Sequence, residues 1–144
     1  MVPNPRIREP FFHYLEANEF DGPLFLSVIA TEAAFTQCGE WRRQMLAYVK
    51  GNVDFVCDYL REKVPGIVPV RPQASFLIWL DCTQLGLDHD ALIDLFVNRA
   101  RLAFNDGVAF GPGGEGHMRM NVGAPRALVA EAMQRLEQAV KSLK

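Results

Sequence analysis

Arg119 stands inside a run of strict alternation, with Met118, Met120 and Val122 falling on one side and His117, Arg119 and Asn121 on the other. Such a period of two marks a β-strand over 117–122 with one apolar face. If the methionines enter a core, the Arg119 guanidinium is presented on the opposite face by a rigid support. A planar guanidinium held in that way grips a carboxylate through two parallel hydrogen bonds. The same side chain also serves as an ordinary surface cation, or as the partner of an internal carboxylate such as Asp81. The residue pattern permits the first role without selecting it.

Immediately before this strand lies Gly111-Pro112-Gly113-Gly114-Glu115-Gly116, which formally matches G-x-G-x-x-G. A dinucleotide site requires that loop to pass from a strand into a helix, so that helix N–H groups meet a pyrophosphate. Here the loop runs into a strand, Pro112 restricts the turn, and no Gly-Lys-Ser/Thr follows to make a P-loop. The expectation is a loop that lets backbone approach something closely. The 3 cysteines (Cys38, Cys57, Cys82) lack C-x-x-C spacing and read as free buried thiols. The 3 histidines (His13, His89, His117) are scattered, and Asp88 and Asp90 beside His89 suit the start of a helix better than a metal, so no metal site is expected.

Several elements must position Arg119. Asn4 and Pro5 are suited to cap and open a first helix, with Ile7, Phe11, Phe12 and Leu15 on one face. Pro23 opens a second, carrying Leu24, Phe25, Val28 and Ile29 and ending near Gly39. From Glu40 a single long helix runs to Pro65, with Met45, Val49, Val53, Val56 and Leu60 as its stripe and a bend conceivable at Gly51. About 24 residues at 1.5 Å each make roughly 36 Å. Short strands are expected over 67–70 and 102–105, and the apolar run over 75–80 reads as a strand covered on both faces. Asp88 caps a helix bearing Ala91, Leu92, Leu95 and Phe96, and Pro125 opens a last helix with Leu128, Ala132, Leu136 and Val140 inward. The fold class is therefore α+β: a helical N-terminal segment and a long linking helix, then a small domain of a sheet with helices packed on it.

With 144 residues, 49% of them hydrophobic and 22% charged, the chain has the composition of a globular domain. A net charge of −2 offers no basic excess for a phosphate backbone, so no nucleic-acid partner is expected. No apolar run approaches the roughly 20 residues of a membrane span, and no charged-then-apolar leader follows Met1, so a cytoplasmic protein without a membrane partner is expected.

The wording of the segment around Arg119 narrows the choice. Asn105-Asp106-Gly107, Phe110-Gly111, Gly113-Gly114, Gly116 and Arg119-x-Asn121 resemble the C-terminal signature of class I/II aminotransferase-like, fold-type I PLP-dependent enzymes. Segment 70–81 (Val-Arg-Pro-Gln-Ala-Ser-Phe-Leu-Ile-Trp-Leu-Asp) and Ala124-Pro125-Arg126 are similar to the C–S lyase branch, of cystathionine β-lyase type. So are Asn4-Pro5-x-Ile7-Arg8, segment 12–18 and segment 30–35. The likeness runs over essentially the whole chain.

That resemblance implies the C-terminal domain of the aspartate aminotransferase fold. Residues 1–39 would belong to the large PLP domain of a parent enzyme, and 40–144 would be the linking helix and small domain. It implies that Arg119 binds the α-carboxylate of an amino-acid substrate, and that the parent is a homodimer carrying pyridoxal 5′-phosphate. The family's cofactor-holding lysine, in a Ser-Lys-Thr-Phe-Asn context, has no counterpart among Lys50, Lys63, Lys141 and Lys144. The chain alone is therefore expected to contribute no catalytic or cofactor-binding residue, to be inactive, and to hold no PLP. Phe11, Phe12, Phe20, Phe25 and Phe35 would then be left exposed. An aminotransferase small domain, an amino-acid-binding module and a purely structural domain remain the alternatives to the lyase.

Overall fold

The computed structural model describes residues 2–20, 22 and 24–143. Its elements are helices α1 (Pro5–Ala17), α2 (Phe25–Thr36) and α3 (Gly39–Lys63), strands β1 (Val68–Val70) and β2 (Leu77–Asp81), helix α4 (His89–Asp94), strands β3 (Asn105–Asp106) and β4 (His117–Asn121), and helix α5 (Arg126–Lys141). The chain divides into two compact units, Met1–Arg43 and Gln44–Lys144.

In the first unit, the Asn4 side-chain oxygen accepts from the Arg6 amide at 3.0 Å, and Pro5 occupies the first turn, where its missing N–H costs nothing. Helix α2 begins at Phe25; the expected opening residue Pro23 lies outside the described residues. Neither α1 nor α2 has a buried residue. Phe11 is 46% exposed, Phe25 77% and Phe35 87%, so the expected run of uncovered aromatics is present.

The second unit has one core. Val53, Val56, Cys57 and Leu60 of α3 meet Ile78 and Leu80 of β2, Met118, Met120 and Val122 at β4, Leu92, Leu95 and Phe96 at α4, and Val129, Met133, Leu136 and Val140 of α5. The sheet is antiparallel throughout, in the order β1-β2-β4-β3. The alternation of β4 therefore appears as expected, with its methionines inward and His117 and Arg119 on the other face. Strand β2 departs from expectation. Ile78 and Leu80 are buried, but Leu77 and Trp79 are only partly covered, so helices cover this strand on one face. A tryptophan and a leucine supply apolar bulk to an open face without needing a second layer, which is why an unbroken apolar run misled the pattern reading.

Three smaller corrections follow from packing. The strand expected over 102–105 shrinks to Asn105–Asp106, because the Leu102 amide instead bonds the Phe96 carbonyl at 2.8 Å, closing the π turn (Leu95–Arg99) that continues α4. In α5 the inward stripe is Val129, Met133, Leu136 and Val140, whereas Leu128 is 57% exposed. Both stripes fit a 3.6-residue period, and only the core decides between them. Finally, Cys57 and Cys82 are buried as expected but Cys38 is exposed.

Helix α3 continues through Gly51, where an added Cβ would stand 3.2 Å from an Arg126 guanidinium nitrogen. Glycine thus leaves room for Arg126 to pass. The next residue, Asn52, is fully buried. Its amide donates to the carbonyls of Val122 and Ala124 at 2.8 and 2.9 Å, and its oxygen accepts from Arg126 Nε at 2.7 Å. The Arg126 amide donates to the Tyr48 hydroxyl at 2.7 Å, and its guanidinium lies 4.7 Å from the Phe55 ring centre. Together these bonds tie the link from β4 to α5 onto α3, and so fix the strand that carries Arg119.

Candidate functional site

The uncovered face of the sheet brings together Trp79 and Asp81 from β2 with His117 and Arg119 from β4. The register places Trp79 opposite Arg119 and Asp81 opposite His117, while Asn105 of β3 flanks Arg119 on its other side. An Arg119 Nη nitrogen donates to the Asn105 side-chain oxygen at 3.1 Å. The guanidinium carbon lies 4.3 Å from the centre of the Phe110 ring, within cation–π range. Trp79 meets Phe110 edge-on at 5.6 Å and stacks on His117 at 5.5 Å, so an aromatic row runs across the face to the arginine.

Arg119 lacks an acid partner: no ion pair among the described residues includes it. Its Nε is sequestered from solvent and has no hydrogen-bond acceptor. A buried donor left without an acceptor costs about 1–3 kcal/mol, and more for a charged group. Asp81, the acid considered as an internal partner, is engaged elsewhere. It accepts from the Thr83 hydroxyl at 2.6 Å and the Thr83 amide at 2.9 Å, and faces His117 Nε2 at 3.9 Å. The Thr83 hydroxyl and amide, with His117 nearby, hold its carboxyl below the ordinary range. His117 donates through Nδ1 to the Glu115 carbonyl at 2.8 Å. The other acid near this face, Asp106, lies 3.5 Å from His89 Nε2 and accepts from the Val108 amide at 3.1 Å.

The glycine loop closes on itself. The Gly113 amide donates to the Glu115 carboxylate at 3.0 Å, the Gly114 amide to the Gly111 carbonyl at 3.2 Å, and the His117 amide to the Gly114 carbonyl at 3.2 Å. Amides committed in this way, ahead of a strand, form no pyrophosphate cradle. The close approach that the sequence suggested is between two parts of the loop itself. A Cβ on Gly107 would collide with the Gly114 carbonyl oxygen and stand 2.6 Å from that of His117, and a Cβ on Gly114 would strike the Gly107 carbonyl. Arg119 was therefore legible in the sequence as a candidate. Asn105, Phe110 and Trp79 entered only as parts of the family likeness, with no role of their own, because their contacts depend on pairing register and on the path of a loop.

No family model matches the chain. Cystathionine beta-lyase PatB of Bacillus subtilis is 30% identical over 140 residues, covering 97% of this chain and 36% of PatB. The structure of a PLP-bound putative aminotransferase from Clostridium difficile superposes with a TM-score of 0.87 at 28% identity, over 97% of this chain and 36% of that one. Cystalysin from Treponema denticola, whose structure contains pyridoxal 5′-phosphate, gives 0.84 at 29% identity, over 100% of this chain and 36% of that one. The chain thus spans about a third of the length of the proteins it matches.

Pyridoxal phosphate requires a lysine and an anion cradle. Lys50 pairs with Asp54 at 2.8 Å, Lys63 lies over the Tyr59 ring at 5.4 Å, and Lys141 pairs with Glu137 at 2.5 Å, each on its own helix. With the Gly113 and Gly114 amides also committed, the described residues of this chain do not themselves fit the cofactor; what they offer is a guanidinium without an acid partner among the described residues. Sequence and architecture agree on the assignment: the chain belongs to the fold-type I PLP-dependent family and corresponds to the C-terminal third of its cystathionine β-lyase-type members.

Proposed function

We propose that this chain is the C-terminal part of a PLP-dependent C–S β-lyase acting on cystathionine- or cysteine-like amino acids, and that it supplies the clamp for the substrate α-carboxylate through Arg119. The observation that carries this reading is the guanidinium itself: half-buried, fixed on a strand, and, among the described residues, without an acidic partner and with an Nε that has no acceptor. An α-carboxylate provides the missing charge and acceptors, and gripping it orients the rest of the amino acid relative to the reacting bond. The aromatic row of Trp79 and His117 gives the open face a dry wall beside that grip. The cofactor, held by other parts of the parent, would supply the electron sink. The lyase reading draws support from the likeness to PatB. A second reading, an aminotransferase with the same clamp, draws support from the Clostridium difficile structure. In either case the parent works as a cytoplasmic homodimer.

The test begins with the coding sequence ahead of this chain, read in frame for Ser-Lys-Thr-Phe-Asn. The extended protein is then expressed, supplied with PLP and given L-cystathionine. Release of pyruvate and ammonia supports the lyase, and amino transfer to a keto acid supports the second reading. An extended protein that turns over no amino acid refutes both.

A further inference from the structure

The Arg119 guanidinium is restrained on two sides by neighbouring side chains. Asn105 holds one Nη at 3.1 Å, and Phe110 covers a flat face at 4.3 Å. Phe110 is half exposed, an unfavourable place for a phenyl ring unless it is held there. It sits at the end of the one-turn helix Gly107–Phe110, whose start is fixed by the Asp106 carboxylate accepting from the Val108 amide. The turn is fastened to the loop ahead of β4 by the backbone contact between Gly107 and Gly114, a contact that admits no side chain on either residue. Trp79 then braces the outer edge of Phe110 at 5.6 Å. The glycine loop, with the Gly111, Gly113 and Gly114 amides engaged internally, is therefore built to deliver one aromatic ring to one guanidinium.

We propose that Phe110 and Asn105 are positioning residues for Arg119, and that the loop from Gly107 to Gly116 is the fastener that keeps Phe110 in place. This rests on the reading of Arg119 as a carboxylate clamp. An unrestrained arginine samples many rotamers and loses that freedom on binding. Here the stack and the Asn105 bond remove it in advance, so the plane of the guanidinium is already fixed when a carboxylate arrives.

The probes are L-methionine and L-methioninamide, which differ in the carboxylate, titrated into the 15N-labelled chain while the Arg119 Nε–Hε correlation is followed. In the wild type the Hε signal is displaced by the Phe110 ring current, and L-methionine binds in preference to the amide. Phe110→Leu keeps apolar bulk without the π face. It should move Hε back and weaken L-methionine about 5- to 10-fold, as loss of a partly desolvated cation–π contact implies. Phe110→Trp should restore affinity to within about twofold of wild type, because its ring provides an equal or better face. Asn105→Ala should weaken L-methionine about 3- to 10-fold, the value of one hydrogen bond, and leave the weak binding of the amide unchanged. Backbone amide spectra of each variant report the fold separately. If L-methionine keeps its preference but Phe110→Leu and Asn105→Ala match the wild type, the positioning role is refuted and the clamp stands. If both ligands weaken equally, the residues act on the surface at large, which also refutes it. A displaced Hε in a wild type that binds the two probes alike refutes the carboxylate reading itself, and the clamp with it.

Discussion

Replacing Asn52 with leucine, close to it in shape, removes every polar atom of a fully buried side chain. Three hydrogen bonds disappear: those to the Val122 and Ala124 carbonyls, and the one accepted from Arg126 Nε. At about 1 kcal/mol for each bond, and more wherever a partner is left dry, the loss is at least about 3 kcal/mol. In a unit the size of Gln44–Lys144 each kcal/mol lowers Tm by roughly 4–5 °C, so a fall of about 12–15 °C is expected. Differential scanning calorimetry measures it, with Lys50→Ala as the control. That change breaks an ion pair whose lysine is 71% exposed, and should cost no more than about 0.5 kcal/mol. Because the link from β4 to α5 loses its tether, amide exchange in Asn52→Leu should quicken at Val122 and Ala124 first. An Asn52→Leu protein within about 0.5 kcal/mol of wild type would refute the argument that this amide fastens β4 to α3.

Three other outcomes follow from single contacts. Gly114→Ala places a methyl against the Gly107 carbonyl, and overpacking of backbone on backbone should cost about 2–3 kcal/mol, with the Arg119 Hε signal shifted along with the loop in NMR. Asp81 has a lowered folded-state pKa, held first by the Thr83 hydroxyl. Its contribution to stability is thus fully present above the unfolded carboxyl value near ~4 and is lost as pH falls through the folded value. Thr83→Val should therefore lose stability at neutral pH and show a smaller further loss below about pH 4 in urea titrations; identical acid limbs would contradict the assignment. Burial pushes the Cys82 thiol up to about 12 and raises that of Cys57, so in the folded chain a chromogenic disulfide reagent should modify Cys38 quickly and the other two only on denaturation.

Local pattern carried the reading as far as one element's own period reaches. The alternation of 117–122 gave both the strand and the face of Arg119, and Asp88 gave a helix start that its side chain caps at 2.8 Å from the Ala91 amide. Periodicity could not say whether β2 had a second layer, since a run such as Leu77–Asp81 reads alike with one covered face or two. It could not separate Leu128 from Val129, which differ only in what stands across from them. Asn52 was invisible for another reason: an asparagine inside an apolar helix stripe looks like a solvent-facing interruption until the carbonyls of a distant turn arrive. The aromatic row and the Gly107–Gly114 fastener depend on strand register and loop path, which no single segment encodes. The family likeness located the arginine; the structure accounts for what holds it.

The central claim is that the Arg119 guanidinium is set to receive a carboxylate, and Arg119→Gln tests it most directly. Calorimetric titration with L-methionine and L-methioninamide should show about a 10-fold or greater preference for the acid in the wild type, the value of charge-assisted hydrogen bonds, and none in the variant. Equal preference in both proteins would place any carboxylate elsewhere and contradict the account.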